Sequence, residues 1–220
     1  EKFQFAAHGL QSLKIGGNRI GDRGMVMLAH VLETDSMIRI LDVSSTGFSE
    51  IGAVAIGSML ENVTTLQWLS MEWNLIGSGK GAEAIGDGMS MNLGLKCLDM
   101  SNCSLGDKGG SYIVSGLSEN EILEAPALAP HRLPRGTAEV LADSLRKNKT
   151  LRSLMLVNNP LGYEGAGSLI KAMMVNTTLG TLNLLKCSFM KDDAKGDDRM
   201  SFDENKPGGN YRLNLALPGH

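Results

Sequence analysis

The chain has 220 residues, 42 % of them apolar, which is enough to bury a continuous core. Its 21 Lys plus Arg stand against 24 Asp plus Glu for a net charge of −3, with no long run of one sign, and this argues against a nucleic-acid or anionic-membrane surface. No apolar stretch approaches the ~20 residues of a membrane span, and three cysteines are too few and odd in number for an oxidised framework, so a reducing compartment is expected.

Residues 1–9 begin at Glu1 without an initiator Met or a signal-peptide pattern and read as part of something longer. Phe3 and Phe5 there either cover the first unit or continue a preceding one. From Leu10 onward one frame recurs, most complete at Leu151-Arg-Ser-Leu154-Met-Leu156-Val-Asn-Asn159-Pro-Leu161, that is L-x-x-L-x-L-x-x-N-x-L. Its first apolar position falls at Leu10, Ile38, Leu66, Leu95, Leu123, Leu151 and Leu179, in steps of 28, 28, 29, 28, 28 and 28. Leu13, Leu41, Leu69, Leu98, Leu154 and Leu182 fill the second slot; Ile15, Val43, Met71, Met100, Leu128, Leu156 and Leu184 fill the third. The x-Leu-x-Leu-x alternation has period two and predicts a short strand with one buried face.

Asn18, Thr46, Asn74, Cys103, His131, Asn159 and Cys187 occupy the next slot, where a short polar side chain can serve backbone groups left unpaired in a turn. Gly-containing links follow, with Asp22, Ser49, Asp107 and Tyr163-Glu164 placed for helix caps and first turns. Apolar residues then recur at helical spacing: Met25, Leu28 and Leu32; Val54, Met59 and Leu60; Val140, Leu141 and Leu145; Leu169, Met173 and Met174.

Such a unit, repeated seven times, resembles the ribonuclease-inhibitor-like class of leucine-rich repeats over roughly residues 10–190. The class includes the inhibitor itself, the GTPase-activating protein for Ran, repeat domains of NOD-like receptors, and ciliary or axonemal scaffolds. The resemblance implies an α/β solenoid, a horseshoe segment with parallel strands on the concave face and helices on the convex face. Strands ~4.8 Å apart cannot keep step with helices ~8–10 Å apart, so the stack must curve.

Two stretches depart from the frame. In repeat five, Leu123-Glu-Ala-Pro126-Ala-Leu128, a proline stands in the second slot, so the strand is expected to be short, distorted or bulged, either by drift or as a kink beside a partner. At 191–220 a polar linker replaces the helix, and Tyr211-Arg-Leu213-Asn-Leu215-Ala-Leu217 alternates like an edge strand or hairpin capping the last repeat.

The chemistry-bearing residues point away from catalysis. The histidines are scattered, no C-x-x-C or H-x-x-x-H spacing occurs, and Gly106-Asp-Lys-Gly109-Gly110 lacks the phosphate-loop frame. No enzyme activity, catalytic residue, metal or cofactor is expected. Of the sequons at Asn62, Asn102, Asn148 and Asn176, three precede the first apolar slot of the next unit and belong to the repeat, and none is expected to be modified. What remains is the outward row of each strand: Ile40, Trp68 and Cys97 beside Asp42, Ser70 and Asp99, with Glu72, Trp73 and Asn102 following. Trp68 and Trp73 with an acidic rim fit a protein-binding hot spot built from Ile40, Asp42, Trp68, Ser70, Glu72, Trp73, Asp99 and Asn102. The alternative is a tryptophan packed on its neighbour or on a loop. The expected role is a protein–protein interaction scaffold, cytoplasmic, within a hetero-oligomeric complex, with cilium or cytoskeleton as one setting. A regulator of an enzyme, of the GTPase-activating or inhibitor type, is the alternative.

Overall fold

The computed structural model describes residues 9–34, 37–128, 133, 135–187, 200–203 and 210–213. Strands and helices alternate along the repeats: β1 (Ser12–Lys14), α1 (Gly21–Thr34), β2 (Ile40–Asp42), α2 (Glu50–Asn62), β3 (Trp68–Ser70), α3 (Lys80–Met91), β4 (Cys97–Asp99), α4 (Gly106–Glu119), β5 (Ala125–Ala127), α5 (Arg135–Lys147), β6 (Ser153–Met155), α6 (Gly162–Met173) and β7 (Thr181–Asn183). The seven strands form one sheet in sequence order, every neighbouring pair parallel. This is the expected solenoid.

Three apolar slots per unit bury between sheet and helices because each strand residue alternates sides while its neighbours in register repeat the choice. In the central units Leu66, Leu69 and Met71, then Leu95, Leu98 and Met100, are all buried. The end units bury less: Leu10 is exposed and Leu13, Ile15, Leu179, Leu182 and Leu184 are only half buried, each having one described neighbour instead of two. The helical reading overshoots at three positions. Val54, Val140 and Met174 are exposed, because each is one ~100° step off a buried stripe carried by Ala53, Leu141 and Ala172–Met173.

The turn slot works as expected. Asn74 donates from Nδ2 to the carbonyls of Val43 and Met71, both at 2.9 Å, and its Oδ1 accepts from the N–H groups of Thr46 and Gly47. The Cys103 and Cys187 thiols each donate to a carbonyl of the preceding unit, Met71 and Leu156, at 3.1 Å. His131 lies outside the described residues.

Helix capping crosses from one repeat to the next. Ser49 stands at the N-cap of α2 but caps nothing with its hydroxyl. Asp22 of α1 takes over: its Oδ1 accepts from the N–H groups of Ser49 (2.7 Å) and Gly52 (2.9 Å), and its Oδ2 accepts from the Ser49 hydroxyl. Burial pushes the Asp22 carboxyl up, yet those three hydrogen bonds outweigh it and leave it below the ordinary range. Glu50 of α2 repeats the device, its Oε1 accepting from the Lys80 N–H at the start of α3.

Pro126 changes less than its position suggests. β5 keeps the same three-residue length as its neighbours and pairs fully with β4. On the other side only Ala127↔Met155 is in register. The flanking bonds Ser153 N–H to Glu124 O and Leu128 N–H to Met155 O remain. In that alternation the inward residue donates toward the following strand, so the donor proline lacks is the one that would reach Ser153. One rung is lost, without a bulge in the register.

In the tail, β8 (Met200–Asp203) and β9 (Asn210–Leu213) pair antiparallel in a separate two-stranded sheet. The remainder of the capping segment read at 191–220 lies outside the described residues.

Candidate functional site

Register places the outward residues in two rows across the concave wall. Ser12, Ile40, Trp68, Cys97 and Ala125 align in one, and Lys14, Asp42, Ser70, Asp99, Ala127, Met155 and Asn183 in the other. Ile40 is 37 % exposed and Trp68 half buried, so neither is taken up by the core. Ser70 departs from the expectation. It faces outward by alternation, since Leu69 beside it is buried inward, yet only 2 % of it is exposed. Its register neighbours are Asp42 on β2 and Asp99 on β4, both with longer side chains.

Glu72, Trp73 and Asn102 sit in the turns after β3 and β4. Among the described residues, the first bend after the strand is left-handed in six units, at Gly17, Ser45, Trp73, Asn102, Asn158 and Lys186, with φ between 52° and 77°. Trp73 is the bulky member of that series, with φ 57°, and it is 63 % exposed. Leu75, exposed two residues on, extends the same edge; reading the outward slot beyond Asn74 would have found it.

The carboxylates are aimed by local hydrogen bonds. Asp42 Oδ1 accepts from the Ser44 N–H (3.0 Å) and hydroxyl (2.6 Å), and Asp99 Oδ1 accepts from the Ser101 N–H (2.9 Å). Glu72 lies within hydrogen-bonding reach of Asp99, and its carboxyl is pushed up by partial burial first, then by the charges of Asp99 and Asp42. The Cys97 thiol is likewise raised, by burial and by Glu124 against a smaller opposing effect of Lys96, and burial lifts Cys103 to about 12. These thiols are therefore protonated at neutral pH and are poor nucleophiles. Among the described residues no group of His, Cys, Asp or Glu is arranged to hold a metal ion, and no helix is long and apolar enough to cross a membrane.

The raised Glu72 has a sign that can be measured. Its folded value lies above the unfolded one, so the stability tied to its proton is present below 4.5 and lost as pH rises through the raised value. Glu72→Gln is expected to stabilise the fold at neutral pH, by no more than about 1 kcal/mol on a solvent-lined face, and so to raise the melting temperature slightly there while changing it little under acid. Melts at both pH values test this, and a drop at neutral pH would contradict it.

A leucine-rich-repeat family profile matches residues 8–29, 92–114 and 147–169. With six stacked strand–helix units and a seventh parallel strand among the described residues, the chain is a leucine-rich-repeat protein, an α/β solenoid of horseshoe form. Human NACHT, LRR and PYD domains-containing protein 5 is 22 % identical over 215 residues, covering 83 % of this chain and 18 % of that protein. Leucine-rich repeat-containing protein 45 of Gallus gallus is 27 % identical over 113 residues, 51 % of this chain and 17 % of that one. NACHT, LRR and PYD domains-containing protein 12 of Mus musculus is 26 % identical over 166 residues, 74 % and 13 % respectively. The chain thus spans less than a fifth of the length of these relatives. Among solved structures, leiomodin-1 actin-binding site 2 superposes with a TM-score of 0.50 at 25 % identity, over 62 % of this chain and 82 % of that one.

Proposed function

We propose that the chain is a non-catalytic protein-binding module whose repeats, over residues 10–190, grip a partner at the middle of the concave wall. The observation that carries this is Trp73. A left-handed backbone disfavours a bulky side chain by about 1 kcal/mol or more, and the ring recovers little of that by burial. Equivalent positions use Gly17, Ser45, Asn102, Asn158 and Lys186, so Trp73 is the one large aromatic residue in the series. A residue that helps neither the backbone nor the core, beside Trp68 and Leu75, is accounted for by a surface that is covered in a complex.

Several features support an intracellular scaffold within a larger assembly. Cys103 and Cys187 serve their turns as S–H donors, a role that requires reduced thiols. The actin-binding repeat structure of leiomodin supports a cytoskeletal setting, with a cilium or axoneme as one form of it. The 28-residue unit with a helix in each repeat supports the ribonuclease-inhibitor-like class.

Trp73→Asn tests the reading. Asparagine tolerates the left-handed region, so the melting temperature is expected to hold or rise slightly. Affinity capture from native lysate, read by mass spectrometry, is expected to lose the partners bound by the unchanged chain. Loss of stability with binding retained would make Trp73 a structural residue.

A further inference from the structure

The chemistry of the partner can be read from what surrounds the two tryptophans, provided the concave-wall reading above holds. Asp42, Glu72 and Asp99 bring three carboxyls to one patch, and no described Lys, Arg or His forms an ion pair with any of them. Glu72 and Asp99 approach each other closely enough to interact directly. Lys14 stands next to Asp42 in register but forms no ion pair with it; like charges held together unpaired destabilise the free protein, and a cation placed among them would remove that penalty.

Ser70 supplies the second observation. It sits between Asp42 and Asp99 in register, on the outward side of β3, and its hydroxyl makes no hydrogen bond among the described residues although 2 % of the residue is exposed. A buried polar group without a partner is rare in folded proteins and calls for a ligand, water or ion. Here the open acceptor lies at the floor of the acidic patch. Asp42 and Asp99 are already turned by the Ser44 and Ser101 N–H groups through Oδ1, and Asp42 keeps Oδ2 for an outside donor while Asp99 also faces Glu72.

We infer that the patch takes a basic side chain of the partner protein, an arginine, seated among Asp42, Glu72, Asp99 and the Ser70 hydroxyl with its plane against an indole of Trp68 or Trp73. A guanidinium fits because it carries five N–H donors in a plane, can serve several carboxylates at once, and stacks on aromatic faces, where an ammonium is a more strongly hydrated point charge. Apolar residues flanking that arginine would cover Ile40 and Leu75, both exposed at the margin.

The experiment is selection of a random dodecapeptide display library on the immobilised full chain. Binders enriched in arginine within an apolar context are expected. Their retention should fall about tenfold on a Glu72→Gln, Asp99→Asn double variant, and steeply with added salt. The amides are near-isosteric, and the melting temperature of the variant reports that it folds. Binders that need Trp73 but carry no basic residue and ignore the double variant would overturn the arginine assignment and leave the concave-wall reading standing. Binders indifferent to both Trp73→Asn and the double variant would overturn the wall itself, and no enrichment at all would overturn the arginine assignment. If lysine replaces arginine freely in the selected peptides, the stacking geometry is overturned.

Discussion

Asn120→Ala is expected to cost about 3–5 kcal/mol, a drop of roughly 10 °C in melting temperature for a chain of this size. Asn120 is 3 % exposed and makes four hydrogen bonds. Its Nδ2 donates to the carbonyls of Met89 (2.6 Å) and Asn92 (3.2 Å) at the end of the previous helix, and its Oδ1 accepts from the N–H groups of Ile122 (2.9 Å) and Leu123 (2.6 Å). Truncation leaves those backbone groups buried and unpaired, and each such group costs about 1–3 kcal/mol, partly recovered by local relaxation. Asn120→Asp separates the two halves of the argument. It keeps the acceptor but sets a carboxylate oxygen against two carbonyls, so it is expected to fare no better. Asn62→Ala removes one exposed bond to the Ser58 carbonyl and is expected to stay within about 0.5 kcal/mol. Chemical denaturation with amide exchange across α3 and α4 measures all three, and equal, small losses would mean the asparagine is not what ties one repeat to the next.

The same residue marks where sequence reading stopped. Asn92, Asn120, Asn148 and Asn176 recur every 28 residues, and each donates to the carbonyls of the preceding unit while accepting from the turn that follows it. Two of the four also sit in glycosylation sequons, so in the sequence the 28-residue asparagine period is overlaid by the Asn-x-Thr pattern. The buried amide of Asn148 is already committed to the Asn120 carbonyl, which argues against its modification.

Strand slots were legible because side-chain period two and a fixed repeat leave one choice of buried face; Leu66, Leu69 and Met71 follow from spacing alone. Helix faces were less legible, since Val54 and Met174 are apolar without being inward. The inter-repeat cap from Asp22 to Ser49 could not be read from local rules, which look for the cap within the helix it serves. At the concave wall, register gave the rows, while the left-handed backbone under Trp73 and the occlusion of Ser70 depend on three-dimensional detail that no spacing carries.

Gly116→Ala is expected to destabilise by about 2–4 kcal/mol, even though alanine is the better helix former by up to about 1 kcal/mol. A Cβ built on Gly116 would stand 2.1 Å from the Gly86 carbonyl oxygen and 2.8 Å from its carbon. These are backbone atoms, so no side chain can swing aside. Similar approaches join α2 to α3, where a Cβ on Gly88 would meet the Gly57 oxygen at 2.2 Å and one on Gly57 would meet the Ala84 oxygen at 2.4 Å. The central helices therefore pack backbone against backbone, which narrows their mismatch with the strand spacing and limits curvature in the units that present Ile40, Trp68 and Asp99. Inserting a methyl group there would force α3 from α4 and splay the wall at the proposed binding patch. Gly167→Ala, in α6 with no atom of the described residues within 4 Å of the added carbon, is expected to do the opposite and stabilise by about 0.5–1 kcal/mol. Denaturation of both variants reads the contrast: the same sign at both sites would mean that the close helix approach does not govern the stability of the stack.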